Sequence, residues 1–246
     1  MDDPATMAAA RADLYELLAT ILDGDMETLA TALRNGSLTS VAETMPIGRA
    51  SDALDRDDVQ PETLSRSYDA YFIVPGERYV PPIASAHCDD PSESFESDSP
   101  FHDEGSAGEL LGDPAVAMSA LYEEVGFQPN CGDFPDHAAA QIEFLAAMSR
   151  TKAKRLDAGD SEMIDRIRAV EAQTLSQLGW LDTFHDKMAT VNGSDEILTA
   201  VVAVARAAAA QHAEDLAVDE RLAGEHDRSE TAVPTDAGAE SSPVDR

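Results

Sequence analysis

Three neighbouring residues, Pro135, Asp136 and His137, form the clearest candidate for chemistry in the sequence. They open the segment GDFPDHAAAQIEFLAAM, whose apolar residues recur at helical spacing. A proline in a first helical turn loses no hydrogen bond, and an aspartate there can accept one from a free backbone N–H. Asp136, or Asp133 just before it, is therefore expected to cap this helix. The alternative is that Asp136 has a functional role.

A histidine at the start of a helix would oppose the helix dipole if it were charged. His137 is therefore expected to be neutral and to be held by a hydrogen bond or by a partner. It shares one helical face with Gln141, Phe144 and Met148, which follow at spacings of four, three and four residues.

A second candidate is the segment SYDAYFIVPGERYVPPIASAH, residues 67–87, which combines aromatic residues with prolines. Pro75-Gly76 is a turn dipeptide, and Pro81-Pro82 forces extended backbone. Tyr68 and Phe72 lie four residues apart on a predicted helix. Two interpretations stay open: core aromatics followed by a rigid loop, or a proline-stiffened loop beside an aromatic wall that receives a peptide.

An enzyme is the alternative. The pairs His102-Asp103 and His185-Asp186, with His87 upstream, resemble the ligands of helical metal-dependent phosphohydrolases. The first pair falls in a Ser/Asp-rich segment in which nothing fixes its geometry. The sequence also contains no recognisable Ser–His–Asp arrangement, no Gly-rich phosphate loop and no thiol in a basic setting. These observations favour a binding protein that needs neither metal nor other cofactor.

The composition limits the partners. Lys and Arg number 17 against 48 Asp and Glu, a formal charge of -31, which indicates a salt-loaded cytoplasm where screening suppresses self-repulsion. This charge argues against nucleic acid and anionic membranes as partners, because both attract cationic surfaces, and it favours a cationic partner. The start of the chain lacks a signal-peptide pattern, and ILTAVVAVARAAAA is too short to span a bilayer. We expect a cytoplasmic protein, monomeric or dimeric, with Cys88 and Cys131 as ordinary thiols.

Apolar periodicity predicts an all-α protein. Residues 1–220 should form a single helical bundle, with a first helix that ends near Gly24 and a long, central, alanine-rich helix from Asp195 to Glu220. The segment 88–108 is expected to be a mobile acidic loop and residues 221–246 a disordered acidic tail.

Taken together, the two segments resemble the TorD/DmsD/NarJ family of redox-enzyme maturation chaperones. The resemblance covers about residues 8–220. It rests on Tyr68-x-x-x-Phe72-x-x-Pro75-Gly76 followed by Pro81-Pro82-x-x-Ser85, and on the later Pro-Asp-His segment with Ile142, Phe144, Leu145 and Ala146. The order of an N-terminal ADLYELLATIL helix, these motifs, LGWLDTF and a long last helix also agrees.

This resemblance implies a helical, non-catalytic chaperone of the TorD-like type. It would bind the twin-arginine leader of a molybdopterin oxidoreductase of the dimethyl sulfoxide reductase type and assist cofactor insertion; a NarJ-like assembly factor would instead bind the mature catalytic subunit. Ile83 and His87 depart from the family pattern, where aromatic residues are common, and so are candidates for setting leader specificity. The positions expected at the peptide-binding surface are Tyr68, Phe72, Pro75, Gly76, Pro82, Ile83, Ser85, His87, Pro135, Asp136 and His137.

Overall fold

The computed structural model describes residues 3–48, 50–88, 112–191 and 195–231, with side chains as far as Asp219 in the last range. Within these residues the protein is all-α, as predicted, and no strand is formed. The predicted acidic loop lies outside the described residues apart from Cys88. The helices are α1 (Pro4–Leu22), α2 (Met26–Arg34), α3 (Ser37–Glu43), α4 (Ala50–Leu54), α5 (Pro61–Tyr68), α6 (Asp113–Val125), α7 (Ala138–Ala158), α8 (Ser161–Gln177), α9 (Leu181–Thr190) and α10 (Glu196–Thr231).

Local sequence signals account for most of the helix ends. The side chains of Asp3 and Asp25 accept the N–H groups of Thr6 and Thr28, and so cap α1 and α2. Gly126 and Gly159 end α6 and α7 in the left-handed conformation. The first helix therefore ends within two residues of the predicted position at Gly24.

The core is built around α1 and α7, which form the most extensive helix pair of the described structure. The helix α8 packs on α7, and α10 contacts α4, α8, α9 and α1. The helices α1, α2, α7 and α9 contribute several of the largest wholly buried side chains: Tyr15, Leu18, Ile21, Leu29, Ile142, Phe144 and Phe184. A smaller cluster of Met118, Leu121, Tyr122, Phe144 and Val170 fixes α6 against α7 and α8.

The predicted central helix is present, and residues 200–205 are buried along its length. It continues past the predicted end at residue 220 to Thr231, so the first part of the predicted disordered tail is helical. Residues 232–246 lie outside the described part. No helix among the described residues has the length and apolarity needed to cross a membrane.

A buried polar cluster joins four helices away from the two motifs. Lys152 on α7 forms an ion pair of 2.9 Å with Glu171 on α8, and Ser149 donates a hydrogen bond of 3.0 Å to the same carboxylate. His212 on α10 lies 3.5 Å from Glu171 and 3.2 Å from the hydroxyl of Tyr15 on α1. Burial raises the pKa of Glu171, but His212 and Lys152 outweigh it and hold that pKa at about 2. The carboxylate is therefore charged.

Candidate functional site

Residues 67–87 are called the first motif and Pro135–His137 the second motif, in chain order. The aromatic residues of the first motif pack in the core beneath the loop that follows them. After α5, residues Asp69–Ile73 form one π-helical turn, closed by a 2.8 Å hydrogen bond from the N–H of Val74 to the carbonyl of Asp69. Tyr68 and Phe72 meet edge to face with their ring centroids 4.9 Å apart, and both are buried. Tyr68 also donates a 2.9 Å hydrogen bond to the carbonyl of Leu22 at the end of α1. Both rings thus belong to the core.

The loop that these rings support exposes apolar side chains. Ile73 is 59% exposed, Val74 56% and Tyr79 36%, and we call these three residues the loop surface. Pro75 and Gly76, between them, are exposed as predicted for a turn. The turn is closed by a hydrogen bond of 3.1 Å from the N–H of Tyr79 to Gly76, and Val80 returns to the core by donating to the carbonyl of Tyr71 at 2.7 Å.

The two motifs, 50 residues apart in the chain, meet in space. Ile83 and His137 form an isolated antiparallel bridge. The N–H of Ala138 donates to the carbonyl of Pro82 at 2.9 Å, and the N–H of Ala84 donates to the carbonyl of Asp136 at 3.0 Å. The proline loop is therefore fastened to the start of α7, which the sequence pattern alone could not establish.

Asp136 does not cap α7. Its carboxylate is fully buried, with 0% of the residue exposed, and Oδ2 accepts hydrogen bonds from the backbone N–H of Ser85 at 2.8 Å and from its hydroxyl at 2.5 Å. Oδ1 has no hydrogen-bond partner among the described residues. Asp133 is not the cap either. The prediction was wrong because α7 begins at Ala138, so Pro135 and Asp136 precede the helix instead of lying in its first turn.

The cap is His137. Its extended backbone precedes Ala138, and its Nδ1 accepts the N–H of Ala139 at 3.1 Å. Burial lowers the pKa of His137, more strongly than Asp23, Asp133 and Asp136 raise it, so the ring is neutral as predicted. A neutral imidazole nitrogen can accept this hydrogen bond, whereas an imidazolium could not.

The segment that precedes α7, residues 130–132, is held by close contacts with residues of α7 and its cap. Glu143 accepts hydrogen bonds from both nitrogens of Asn130 and from the N–H of Cys131. Burial, followed by the charge of Glu143, raises the pKa of the Cys131 thiol to about 12, so this thiol is not activated. Gly132 has a φ of 75° and lies against the imidazole of His137.

His87 is buried in an aromatic setting at the other end of the first motif. Its ring lies against Trp180 and Phe184, with centroid distances of 5.3 and 5.2 Å. Nε2 donates a 2.7 Å hydrogen bond to the carbonyl of Pro81, and Nδ1 has no partner among the described residues. Burial lowers the pKa of His87 to about 4, so this ring is also neutral.

Gln141 and Trp180, which sequence reasoning did not assign to the site, complete the network. The indole N–H of Trp180 donates to the Gln141 amide oxygen at 3.2 Å, and the amide nitrogen donates to the carbonyl of Asp136 at 3.4 Å. A polar residue on the inward face of α7 was the available signal for Gln141. The contact with Trp180 depends on how α9 packs and had no sequence signal.

The geometry can be compared with known proteins. Residues 15–186 match the family model described as the nitrate reductase delta subunit. The chain belongs to the nitrate reductase delta subunit family. No curated protein and no solved structure matches the chain.

The matched span of the nitrate reductase delta subunit family begins in α1, ends in α9 and contains both motifs. Members of the family are chaperones that assemble molybdoenzymes, and they are not catalysts. The prediction of a non-catalytic protein in a maturation-chaperone family is therefore confirmed at the level of the family.

The described residues of the alternative metal site do not form a cluster of ligands. His185 and Asp186 contact each other at 3.2 Å on α9, whereas His87 is buried against Trp180. His102 and Asp103 lie outside the described residues. Within the described ranges, no group of three or more His, Cys, Asp or Glu side chains could hold a metal ion.

For this delta subunit family member, the structure separates the predicted peptide-binding residues by exposure. Pro75 and Gly76 are exposed and Pro135 is half-buried. The others are buried: Tyr68, Phe72, Pro82, Ile83, Ser85, His87, Asp136 and His137. Within residues 67–87, residues 73–79 form a continuous exposed stretch that contains the loop surface.

Proposed function

We propose that the protein binds the twin-arginine leader of a molybdopterin oxidoreductase catalytic subunit and that the loop surface contacts the apolar part of that leader. The observation that carries this proposal is the exposure of Ile73, Val74 and Tyr79 on a loop that is rigidly supported from below. Ile73 and Val74 are neighbours in the chain, and Tyr79 lies on the same exposed stretch, residues 73–79. Exposed apolar patches on folded proteins mark interaction sites. A fixed loop also loses little conformational entropy when a partner binds.

The charge around the loop surface suits a basic partner. Asp69 and Glu77 are exposed within the same segment, which also exposes the cation Arg78, and a leader presents two arginines next to an apolar run. In a cell with molar salt the Debye length is about 3 Å, so only carboxylates in contact with the arginines contribute. The overall charge of -31 would therefore add little specificity, which would come from the loop surface and its neighbouring acids.

A second candidate is supported by the family match. The matched description names the delta subunit of nitrate reductase, which favours a nitrate reductase catalytic subunit as the client. In this case the chaperone would bind the mature part of the subunit, with or without a leader. The proline loop would then contact a folded or folding surface of the client.

The two candidates differ in one measurement. Isothermal titration calorimetry in molar KCl, with the catalytic subunit encoded near this gene, compares the subunit carrying its leader, the subunit without it, and the leader peptide alone. The first proposal expects micromolar or tighter binding of the leader peptide and loss of binding when the leader is removed. Equal affinity for both forms of the subunit supports the second. Binding of none of the three by the folded protein contradicts both.

We also propose that the protein works in a salt-loaded cytoplasm. The excess of carboxylates over cations, 48 against 17, is carried by a chain that nevertheless folds around a continuous apolar core. Such a surface is compatible with a compact fold when salt screens the repulsion between the acids.

A further inference from the structure

Asp136 is a buried carboxyl group whose capacity to accept hydrogen bonds is only half used. Oδ2 receives both donors of Ser85, whereas Oδ1 receives none from the described residues. None of the ion pairs among the described residues includes Asp136. A buried carboxylate without a counter-cation is costly, because neutral donors replace only part of its hydration. A cation that reached this carboxylate would therefore be bound strongly.

The turn that covers this carboxylate is a compact unit. We call residues 83–88 the Ser85 turn. It is closed internally by hydrogen bonds from Ala86 to Ile83 and from His87 and Cys88 to Ala84. Such a unit can move as a whole without losing its own hydrogen bonds.

Most of the described hydrogen bonds that tie the Ser85 turn to another element end on Asp136. The N–H of Ala84 and both donors of Ser85 bind Asp136. The turn is also held by the long 3.4 Å hydrogen bond from Lys187 to the carbonyl of Ala86, by the contacts of the His87 ring with Trp180 and Phe184, and by the burial of Ile83 and Ala84. Opening the turn would break these contacts as well. A competitor for the carboxylate of Asp136 would therefore remove two of the three hydrogen bonds that the turn makes to that residue.

We infer that the Ser85 turn is an autoinhibitory latch, and that an arginine of the client opens it by displacing Ser85 from Asp136. This inference rests on the proposed leader-binding function. A guanidinium presents two parallel N–H donors that match both oxygens of a carboxylate, so it would use Oδ1 as well as Oδ2. Its donors are charged, whereas the backbone N–H and the hydroxyl of Ser85 are neutral, and charge-assisted hydrogen bonds are the stronger ones. A lysine would supply only a single point charge.

Opening of the latch has an optical consequence. His87 belongs to the Ser85 turn and its ring is stacked on Trp180, the single tryptophan of the chain. When the turn leaves Asp136, the indole loses this cover and gains contact with water. The emission of Trp180 should then change in intensity and shift to longer wavelength.

The test uses the full-length protein in molar KCl and tryptophan-free synthetic peptides in which two adjacent arginines precede an apolar run of about 12 residues, a length typical of leaders. Matched peptides carry two lysines or two glutamines instead. Calorimetry and tryptophan emission are measured on the same samples. We expect the arginine peptide to bind most tightly and its binding to change the emission.

Two substitutions test the latch itself. Ser85→Ala removes one competing donor and should tighten binding of the arginine peptide by about fivefold, the factor that corresponds to one neutral hydrogen bond. Asp136→Asn keeps an oxygen for Ser85 but removes the charge, and should weaken binding about tenfold or more and abolish the preference for arginine over lysine. Asp58→Asn, which removes one charge from an exposed residue, is the matched control and should leave both readouts unchanged.

The outcomes distinguish the latch from the proposed function. Binding with unchanged emission, no tightening by Ser85→Ala, or equal arginine preference in Asp136→Asn overturns the latch but leaves leader binding intact. Absence of binding to every peptide contradicts the proposed leader binding and the latch together. Thermal unfolding followed by circular dichroism shows whether each variant is folded. If Asp136→Asn does not fold, the comparison of Ser85→Ala with the wild type decides, because that variant keeps the carboxylate.

Discussion

The imidazole of His87 lies nearly parallel to the indole of Trp180, with 5.3 Å between the ring centroids and 15° between the planes. The contact ties the end of the proline loop to the start of α9. Because the resemblance to the maturation chaperones leads us to expect an aromatic residue at position 87, the stack explains how a histidine can serve there. The stack requires a neutral imidazole, because a protonated ring would place a charge in a buried, apolar setting.

Acid should therefore destabilise the protein through its buried histidines. Burial lowers the pKa of His87 to about 4 and also lowers those of His137 and His212. An unfolded histidine takes up a proton near pH 6.5 whereas the folded one does not, so the free energy of unfolding falls as the pH falls below 6.5. For His87 alone the loss between pH 6.5 and pH 5 is about 1.5 kcal/mol.

Urea unfolding at fixed KCl, followed by circular dichroism at several pH values, measures this loss. His87→Tyr keeps an aromatic ring and removes the titrating group, so its stability should fall less between pH 6.5 and pH 5 than that of the wild type. His185→Gln, which alters the histidine on α9 that contacts Asp186, is the control and should follow the wild type. Parallel curves for His87→Tyr and the wild type would contradict a neutral, buried His87.

The buried pair of Lys152 and Glu171 should tolerate the loss of both charges better than the loss of one. Lys152→Met leaves the carboxylate of Glu171 without its main cation and should destabilise the protein by about 3–5 kcal/mol. The double variant Lys152→Met with Glu171→Leu should recover most of that loss, because no charge remains buried. Urea unfolding of both single variants and the double variant gives the coupling energy. Simple additivity of the two substitutions would contradict the pairing.

Gly132 should be required for its lack of a side chain as well as for its backbone conformation. A Cβ at this position would lie 2.8 Å from the Cβ and Cγ of His137, and its φ of 75° is unfavourable for other residues. Gly36 has a similar φ of 70° and nothing within 4 Å of such a Cβ.

Comparing Gly132→Ala with Gly36→Ala in thermal unfolding therefore isolates the contact. Both should lose about 1–2 kcal/mol from the backbone conformation, and Gly132→Ala should lose at least about 1 kcal/mol more from overpacking against His137. Equal losses would mean that the loop before α7 can move away from the imidazole.

The excess of acidic residues should make stability depend on salt. With a formal charge of -31, repulsion between the acids is weakly screened in dilute buffer and nearly absent at molar salt. The melting temperature should rise steadily between about 0.1 and 2 M KCl, and the folded state should be lost at the lowest concentrations. A melting temperature that does not change over this range would contradict adaptation to a salt-loaded cytoplasm. Sucrose at matched osmotic strength is the control for effects that do not involve charge.

The sequence predicted the fold better than the site. The apolar spacing of Leu18, Ile21 and Leu22 places α1, and Gly126 marks the end of α6 because only a residue tolerant of positive φ fits there. The end of α10 could not be predicted, because the residues after 220 lack an apolar period although the helix continues. The length of α10 therefore could not be predicted from an amphipathic pattern.

For the site, the sequence predicted which residues are involved, but it did not predict which residues they contact. Asp136 satisfies every local rule for a helix cap, yet the tertiary contact with Ser85 takes its carboxylate and leaves the cap to His137. Glu171 and Lys152 occupy inward positions on their helices, and that register could have marked them as buried. Their pairing depends on how α7 and α8 pack against each other, and no local sequence pattern predicts that packing.

Client binding by the loop surface is tested by removing its exposed apolar side chains. Ile73→Ser combined with Val74→Ser removes the two most exposed apolar side chains of that surface, and Val218→Ser on α10 removes an exposed valine elsewhere as the matched control. Calorimetry in molar KCl should show that the double variant, with an unchanged melting temperature, binds the leader-bearing catalytic subunit at least about tenfold more weakly than the wild type, because each lost apolar contact contributes about 1 kcal/mol. The control should bind as the wild type does. Wild-type affinity in the folded double variant would contradict the assignment of client binding to the loop surface.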